Sequence, residues 1–388
     1  MGDNGLRGER GNLSLRRVDR LLGVPLVQGL GLLRRLRRRP KPVAAFCPEC
    51  VAVLCLGAIG DTLLATALLN ALARAYPDAE IHVCASAGNA AALPLLDPRI
   101  AAAAFPIRDI AAFIRHLRGL KADVLVDTTQ WARVGALVSL FSGARLTVGF
   151  DTPGQCRARA YDLTVPHSAD RHETENFLAL ARALGRDADA VPSLYIPDAP
   201  PPGLVLERFP RLENTVYLHM FASGVSARLK EWPDERWAAV ALACCAAGYL
   251  VRFTGGLSDA PRAERFLREH IPAELVRGGA VRSLAGKVSL PELAWLMRRG
   301  AGAVSVNTGI LHLGALSGIP IVDLHGPTRP ARWGGVGANV VHLVAPGEGT
   351  AYLNLGFENP PDAVPTLGRL SAESVLRALR DLGLTALS

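Results

Sequence analysis

A chain of 388 residues is too long for one ordinary core, so two domains are expected. With 49% apolar and 20% charged residues, the composition suits a soluble, well-cored α/β protein. The net charge of +8 is local: residues 1–42 hold 11 Lys/Arg against 3 Asp/Glu, and the remaining 32 basic and 32 acidic side chains cancel. A balanced body argues against a broad nucleic-acid surface, which needs a basic face on the folded domain.

The basic arm (1–45) reads "LRRVDRLLGVPLVQGLGLLRRLRRRPKP" at its centre. Its apolar run, Leu21 to Leu33, is 13 residues long, short of the ~20 needed to span a bilayer. It has no small-residue cleavage site, and arginines flank both ends. That pattern fits an interfacial anchor on the anionic inner leaflet of the cytoplasmic membrane, made by residues 1–42. A disordered basic tail and a helix packed on the body are the competing readings. Next come Cys47 and Cys50 in a lone CxxC. The chain's seven cysteines form no disulfide framework, which points to reduced thiols in a cytoplasmic protein.

From residue 51 onward strand-like and helix-like runs alternate as in parallel βα units. Strands are predicted at 51–57, 80–86, 101–107, 122–128, 144–150 and 161–167, with helices between, for example at 61–76 and 109–119. "VPSLYIPDAPPPG" (Val191 to Gly203) carries five prolines and reads as a linker. A second set of strands follows at 215–222, 249–256, 301–307, 319–325 and 340–345. The expected fold class is α/β: two Rossmann-like, doubly wound domains, 46–195 and 196–360. A C-terminal helix within 361–388 would close the chain, packing back on the N-terminal domain.

In such sheets ligands bind beyond the carboxyl ends of the strands, so the exit turns are the places to look. The first is Gly-Ala-Ile-Gly-Asp, where Asp61 stands at the start of a helix, either as a cap or as a functional carboxylate. In the second domain "HMFASGVSARLKEW" offers Ser223 and Gly224 as donors and Lys230 as a point charge for an anion. "VSVNTGILHLG" ends a strand in Asn307, Thr308 and Gly309, with His312 one turn into the next helix. Such a terminus is an anion cradle suited to a diphosphate. No GxGxxG fingerprint is present, which argues against a dinucleotide.

Together these stretches resemble glycosyltransferase family 9, the lipopolysaccharide heptosyltransferase family. The resemblance is carried by "GAIGDTLLATALLNALARAYPDAEIHV", "KEWPDERWAAVA", "FTGG", "SLAGKVSLPELAWLMRRG" and "NTGILHLGALSGIPIVDLHGPT", in family order over roughly residues 50–345. It implies the GT-B type, with two Rossmann-like domains facing across a cleft. It also implies an inverting transfer that needs no metal, from a nucleotide-sugar, ADP-heptose first, to a lipid-linked saccharide such as a lipopolysaccharide core. Asp61 would be the general base. Ser223, Lys230, Gly255, Asn307, Thr308, Gly309 and His312 would hold the donor. Gly60, Thr62, Arg157 and Arg171 are weaker candidates for the acceptor, the two arginines lying in an Arg/His-rich stretch. The chain departs from the family at Asn307, where Asp is common, and at Met220-Phe221, where Pro-Gly is common. Both bear on the donor. The alternative function is a non-catalytic nucleotide-sugar or glycolipid binding protein of the same fold.

Overall fold

The computed structural model describes residues 18–37, 47–107, 109–224, 227–354 and 362–387. The chain forms two compact units that part between Tyr195 and Ile196, within the proline-rich stretch. The first unit contains β1 (Cys50–Cys55), β2 (Glu80–Ser86), β3 (Ala101–Phe105), β4 (Val124–Asp127), β5 (Leu146–Asp151) and β6 (Leu163–Pro166). The second contains β7 (Thr215–His219), β8 (Leu250–Phe253), β9 (Val281–Ser283), β10 (Gly302–Val306), β11 (Ile321–His325) and β12 (Val340–Val344). Helices of the first unit include α1 (Val24–Arg37), α2 (Ile59–Leu64), α3 (Thr66–Ala75), α4 (Arg133–Phe141) and α5 (Glu173–Arg182). The second adds α6 (Asp234–Ala246), α7 (Gly309–Ser317), α8 (Pro330–Trp333) and α9 (Ala372–Asp381).

Both sheets are wholly parallel, with orders β3-β2-β1-β4-β5-β6 and β12-β11-β10-β7-β8-β9. Counted from each unit's first strand, both orders are 3-2-1-4-5-6 and reverse direction beside that strand. Two Rossmann-like units of this kind are the α/β class expected from the alternating pattern. The strand the sequence reading missed is β9, only three residues long with an exposed arginine at its centre. The single helix expected at 61–76 is two, because the chain breaks at Ala65. There the Thr66 hydroxyl donates to the Leu63 carbonyl at 2.6 Å in competition with the helical ladder.

The closing helix is built into the second unit. Val375, Leu376, Ala378 and Leu379 of α9 belong to the second unit's core with Val216, Leu218, Val304, Val322 and Trp237. The described part of the arm is likewise folded. A π-helical turn (Asp19–Gly23) leads into α1, whose inner face lies on α4 and the 158–160 turn. Val27 is fully buried among Ala136, Ala160 and Tyr161. The Asp19 carboxylate accepts from the backbone and the guanidinium of Arg133, and Arg34 pairs with Asp162 at 2.8 Å. Gly31 is needed here, since a Cβ would stand 2.5 Å from the Arg159 carbonyl oxygen. Leu21, Leu22, Leu26, Leu32, Leu33 and Leu36 face outward. Among the described residues, no helix is long and apolar enough to cross a membrane.

The second sheet has two unlike faces. One is the apolar face just described. The other carries Tyr217, His219, Arg252, Ser305, Asp323, His325 and His342, with His219, Ser305, Asp323 and His342 side by side in register. Each buried member has partners: the Tyr217 hydroxyl donates to the Leu296 carbonyl, Arg252 to three backbone carbonyls, and His219 Nδ1 lies 2.9 Å from Thr254 Oγ1. Burial pushes His219 down to about 4. Burial alone would raise the Asp323 carboxyl, but His325 and His342 outweigh it and hold it at about 2.

Two outcomes follow from this packing. Gly31→Ala should lower stability by about 1–3 kcal/mol through overpacking. Gly29→Ala, with open space around it, should raise it by about 0.5–1 kcal/mol; equal urea midpoints for the pair would contradict the docking of α1. His219 is held neutral in the fold while its unfolded pKa is about 6.5, so the unfolded chain binds the extra proton between these values. Its contribution is full above pH 6.5 and declines as pH falls towards 4, by about 2 kcal/mol at pH 5. Urea unfolding at pH 7 and pH 5 should show that slope, and His219→Gln should flatten it.

Candidate functional site

In the first unit the sheet reverses between β1 and β4, and the exits of those two strands build a polar corner. After β1 the chain turns through Leu56, Gly57 and Ala58 into α2, which puts Asp61 at the third helical position. Its Oδ2 accepts from the Ala58 backbone N–H at 2.6 Å, so the carboxylate caps its own helix. Gly57 has to be a glycine, because a Cβ there would meet Asp61 Oδ2 at 2.7 Å. The other oxygen, Oδ1, receives Gln130 Nε2 at 3.3 Å from the exit of β4. Asp61 is half-buried. A capped, oriented carboxylate that still reaches solvent is suited to proton transfer, so the capping role does not exclude the functional one.

Behind Asp61 lies a network that the sequence reading did not single out. Gln130 Nε2 also donates to Glu173 Oε1 at 2.7 Å, and Glu173 pairs with His167 Nε2 at 3.2 Å and with Asn176 Nδ2 at 3.2 Å. Gln130, His167, Glu173 and Asn176 are all buried. Gln130 was within reach of the rule that strand exits carry function, because it follows β4 by three residues. Glu173, at the start of α5, offered no such signal.

The first unit's other candidates have separate fates. Gly60 is buried inside α2. Thr62 is 1% exposed, donating to the Ala58 carbonyl and accepting from Asn89 Nδ2 at 2.6 Å, so it ties the turn together and does not face a ligand. Arg157, expected at the acceptor, is fully buried. It pairs with Asp127 at 2.8 Å and donates to the Tyr161 hydroxyl at 2.6 Å, as a charge whose partner lies inside the domain. Arg171 alone of the four is exposed, one residue before the His172 that caps α5. Cys47 and Cys50 are free thiols, as are the other five.

In the second unit the sheet reverses between β7 and β10. The chain leaves β7 through buried Met220 and Phe221 and exposed Ser223, then Gly224 at φ +93°. The Phe221 ring fills the space against Gly255, where a Cβ would stand 2.9 Å from it, and takes the Arg262 guanidinium over its face at 5.5 Å. That gives the departure at Met220-Phe221 a packing reason. The chain then makes a short turn, Ala227–Lys230, before Trp232 anchors it by donating to the Leu370 carbonyl. This turn passes close to the exit of β11: a Cβ on Gly326 would lie 3.1 Å from the Leu229 carbonyl. Lys230 is half-buried.

After β10, Asn307 is buried and donates to the Trp333 carbonyl at 2.7 Å, tying this exit to α8. Thr308 stands at the N-cap of α7 in extended conformation without capping it, and its hydroxyl is buried with no hydrogen-bond partner. Gly309 is the first helical residue, and His312 is buried one turn further on. An uncapped helix start beside an unanswered hydroxyl is a place for an anion. Ser223, Gly255 and the 307–312 turn therefore stand at the carboxyl edge of β7, β8 and β10, and Lys230 ends the turn that passes the exit of β11.

The sequence model of glycosyltransferase family 9 (heptosyltransferase) matches residues 110–353, which include the second unit's candidates and leave out Asp61. Lipopolysaccharide heptosyltransferase 3 of Escherichia coli is 26% identical over 294 residues, 71% of this chain and 82% of that protein. Lipopolysaccharide heptosyltransferase 1 of Pseudomonas aeruginosa is 25% identical over 236 residues, 60% of this chain and 62% of that protein, so the alignment spans less than two thirds of this relative. Among solved structures, E. coli ADP-heptose lps heptosyltransferase II matches with a TM-score of 0.69 at 21% identity, covering 87% of this chain and 99% of that one. E. coli heptosyltransferase WaaC with ADP matches at 0.66 and 20% identity, covering 86% and 100%. At these identities the structural likeness speaks for the fold, two Rossmann-like units of the GT-B type. With a match spanning well over half its length, the chain belongs to glycosyltransferase family 9, the heptosyltransferase family.

Proposed function

We propose that the protein transfers a glycosyl group, heptose first, from an ADP-sugar to a lipid-linked saccharide such as a lipopolysaccharide core, with inversion and without a metal in the reaction. One observation carries this reading: the residues that the family resemblance assigns to the donor fall in the exits of β7, β8 and β10, around the point where the second sheet reverses. Asp61 takes the proton of the acceptor hydroxyl while that oxygen attacks the anomeric carbon. The bond to the diphosphate breaks, and the anion leaves against Lys230, the Thr308 hydroxyl and the N-terminus of α7. The orientation of Asp61 by Ala58 and Gln130 supports its role. Of the acceptor candidates, exposed Arg171 is the one that remains.

A position on the inner face of the cytoplasmic membrane is part of the same proposal. Its support is the outer face of α1 and the turn before it, where six exposed leucines stand with exposed Arg20 and Arg35. A docked helix holds the domain flat against lipid, unlike the flexible tether that a free arm would be. Seven free thiols suit the reducing side.

Asp61→Ala should lower transfer about 10²–10⁴-fold while ADP affinity by calorimetry stays within about twofold, since general-base catalysis acts on the chemical step. Near-normal turnover in this variant would remove the base. Lys230→Ala should weaken ADP binding by about 10-fold or more, and unchanged affinity would take Lys230 out of the donor site. Product from any ADP-sugar and acceptor pair would exclude the non-catalytic alternative. The double substitution Leu32→Glu/Leu36→Glu, both exposed, should release the protein from phosphatidylglycerol vesicles in co-sedimentation without altering its circular dichroism; full retention would show that α1 is not the contact.

A further inference from the structure

We propose that Asp323, His325 and His342 form a site for one divalent transition-metal ion of the zinc type, a structural staple in the second unit that takes no part in transfer. The sheet assembles it. Alternation along β11 puts Asp323 and His325 on one face, and the register pairs Asp323 with His342 on β12. One ligand atom from each residue, a carboxylate oxygen and two ring nitrogens, lies within 4.8 Å of the others. Asp323 Oδ2 stands 2.6 Å from His325 Nε2 and 3.0 Å from His342 Nδ1, and accepts from the Gly335 N–H at 3.2 Å.

Three features point beyond a hydrogen-bonded cluster. Asp323 is 0% exposed, and its second oxygen, Oδ1, is buried with no hydrogen-bond partner. An unanswered oxygen on a buried carboxylate is expensive, and a cation bound by that carboxylate offsets the cost. His325 already has its other ring nitrogen, Nδ1, 2.9 Å from the Thr328 hydroxyl, the outer-shell contact that fixes a ligating imidazole. The loop over the site is shaped to it: a Cβ on Gly334 would come within 2.6 Å of His342 Cε1. The His342 side chain is 33% exposed, which leaves an entry path and room for a water as fourth ligand.

Two imidazoles and one carboxylate favour Zn²⁺ or its neighbours over Mg²⁺ or Ca²⁺, which prefer all-oxygen sites. Bonds of about 2.0–2.1 Å in a tetrahedral site place ligand atoms about 3.3 Å apart, so the 2.6 and 3.0 Å separations at Asp323 Oδ2 need to widen by less than an ångström. On binding, His325 keeps its proton on Nδ1, donated to Thr328, and His342 keeps its own on Nε2 towards solvent. The ion would join β11 to β12 under the 330–335 segment, whose Trp333 carbonyl holds Asn307 at the exit of β10.

The test uses the metal alone and does not depend on transferase activity. The full chain, freed of metal with a chelator and dialysed, is titrated with Co²⁺ and then Zn²⁺. One equivalent of Co²⁺ should develop a visible d–d band of tetrahedral intensity, which Zn²⁺ abolishes. His342→Ala, at a partly exposed position that folding tolerates, should lose the band, and Thr328→Val should weaken Co²⁺ binding about 10-fold. Cys47→Ser should leave it unchanged. A wild-type protein with no band at one equivalent, or a His342→Ala variant that keeps it, would overturn the site.

Discussion

Everything at the candidate site depends on strand order in a parallel sheet. When every strand runs the same way, every exit turn lies on one edge. Where the winding reverses, two neighbouring exits diverge and leave room between them. Each unit here has one such point. At the first, Asp61 after β1 is met by Gln130 after β4, 69 residues further along the chain. At the second, the exits of the paired strands β7 and β10, at Met220 and Asn307, stand side by side. Chemistry-bearing residues far apart in sequence are therefore brought together by topology before any side chain packs.

Buried polar groups then fix the exits. A charge inside a domain is tolerated only if it is paired, and breaking such a pair leaves the partner exposed to the full cost of burial. Arg157 with Asp127 and Tyr161, and Glu173 with His167, Asn176 and Gln130, are networks of this kind. They lie directly behind the β4 exit, so the loop that supports Asp61 is held from the inside. In the second unit the polar face of the sheet has the same effect: Asp323, two histidines and the Gly335 N–H hold the 330–335 segment, and that segment holds Asn307.

The N-terminal helix shows how one short sequence can satisfy two environments. Glycines at 23 and 31 permit close approach to the domain, and Asp19, Gln28 and Arg34 bond to it. The leucines between them point the other way. Arg34 is spent inward on Asp162, so the arm's positive charge is not all available to a partner.

The sequence by itself determined the fold class, because strand and helix periods are local and a run of prolines marks the linker without reference to the rest of the chain. It also singled out Asp61 and the 307–312 turn as candidates, because each stands where a buried strand meets a helix and a polar residue has to have a reason. Only the tertiary structure decided which of several similar polar side chains faces inward: Arg157 is a core ion pair while Arg171 lies in solvent, though both come from one Arg-rich stretch. It alone joined Gln130 to Asp61 and His342 to Asp323, and it alone turned half of an apolar arm onto the domain. Those outcomes rest on sheet order, register and close backbone approach, which are set between segments distant in the chain. Local pattern carries no record of them.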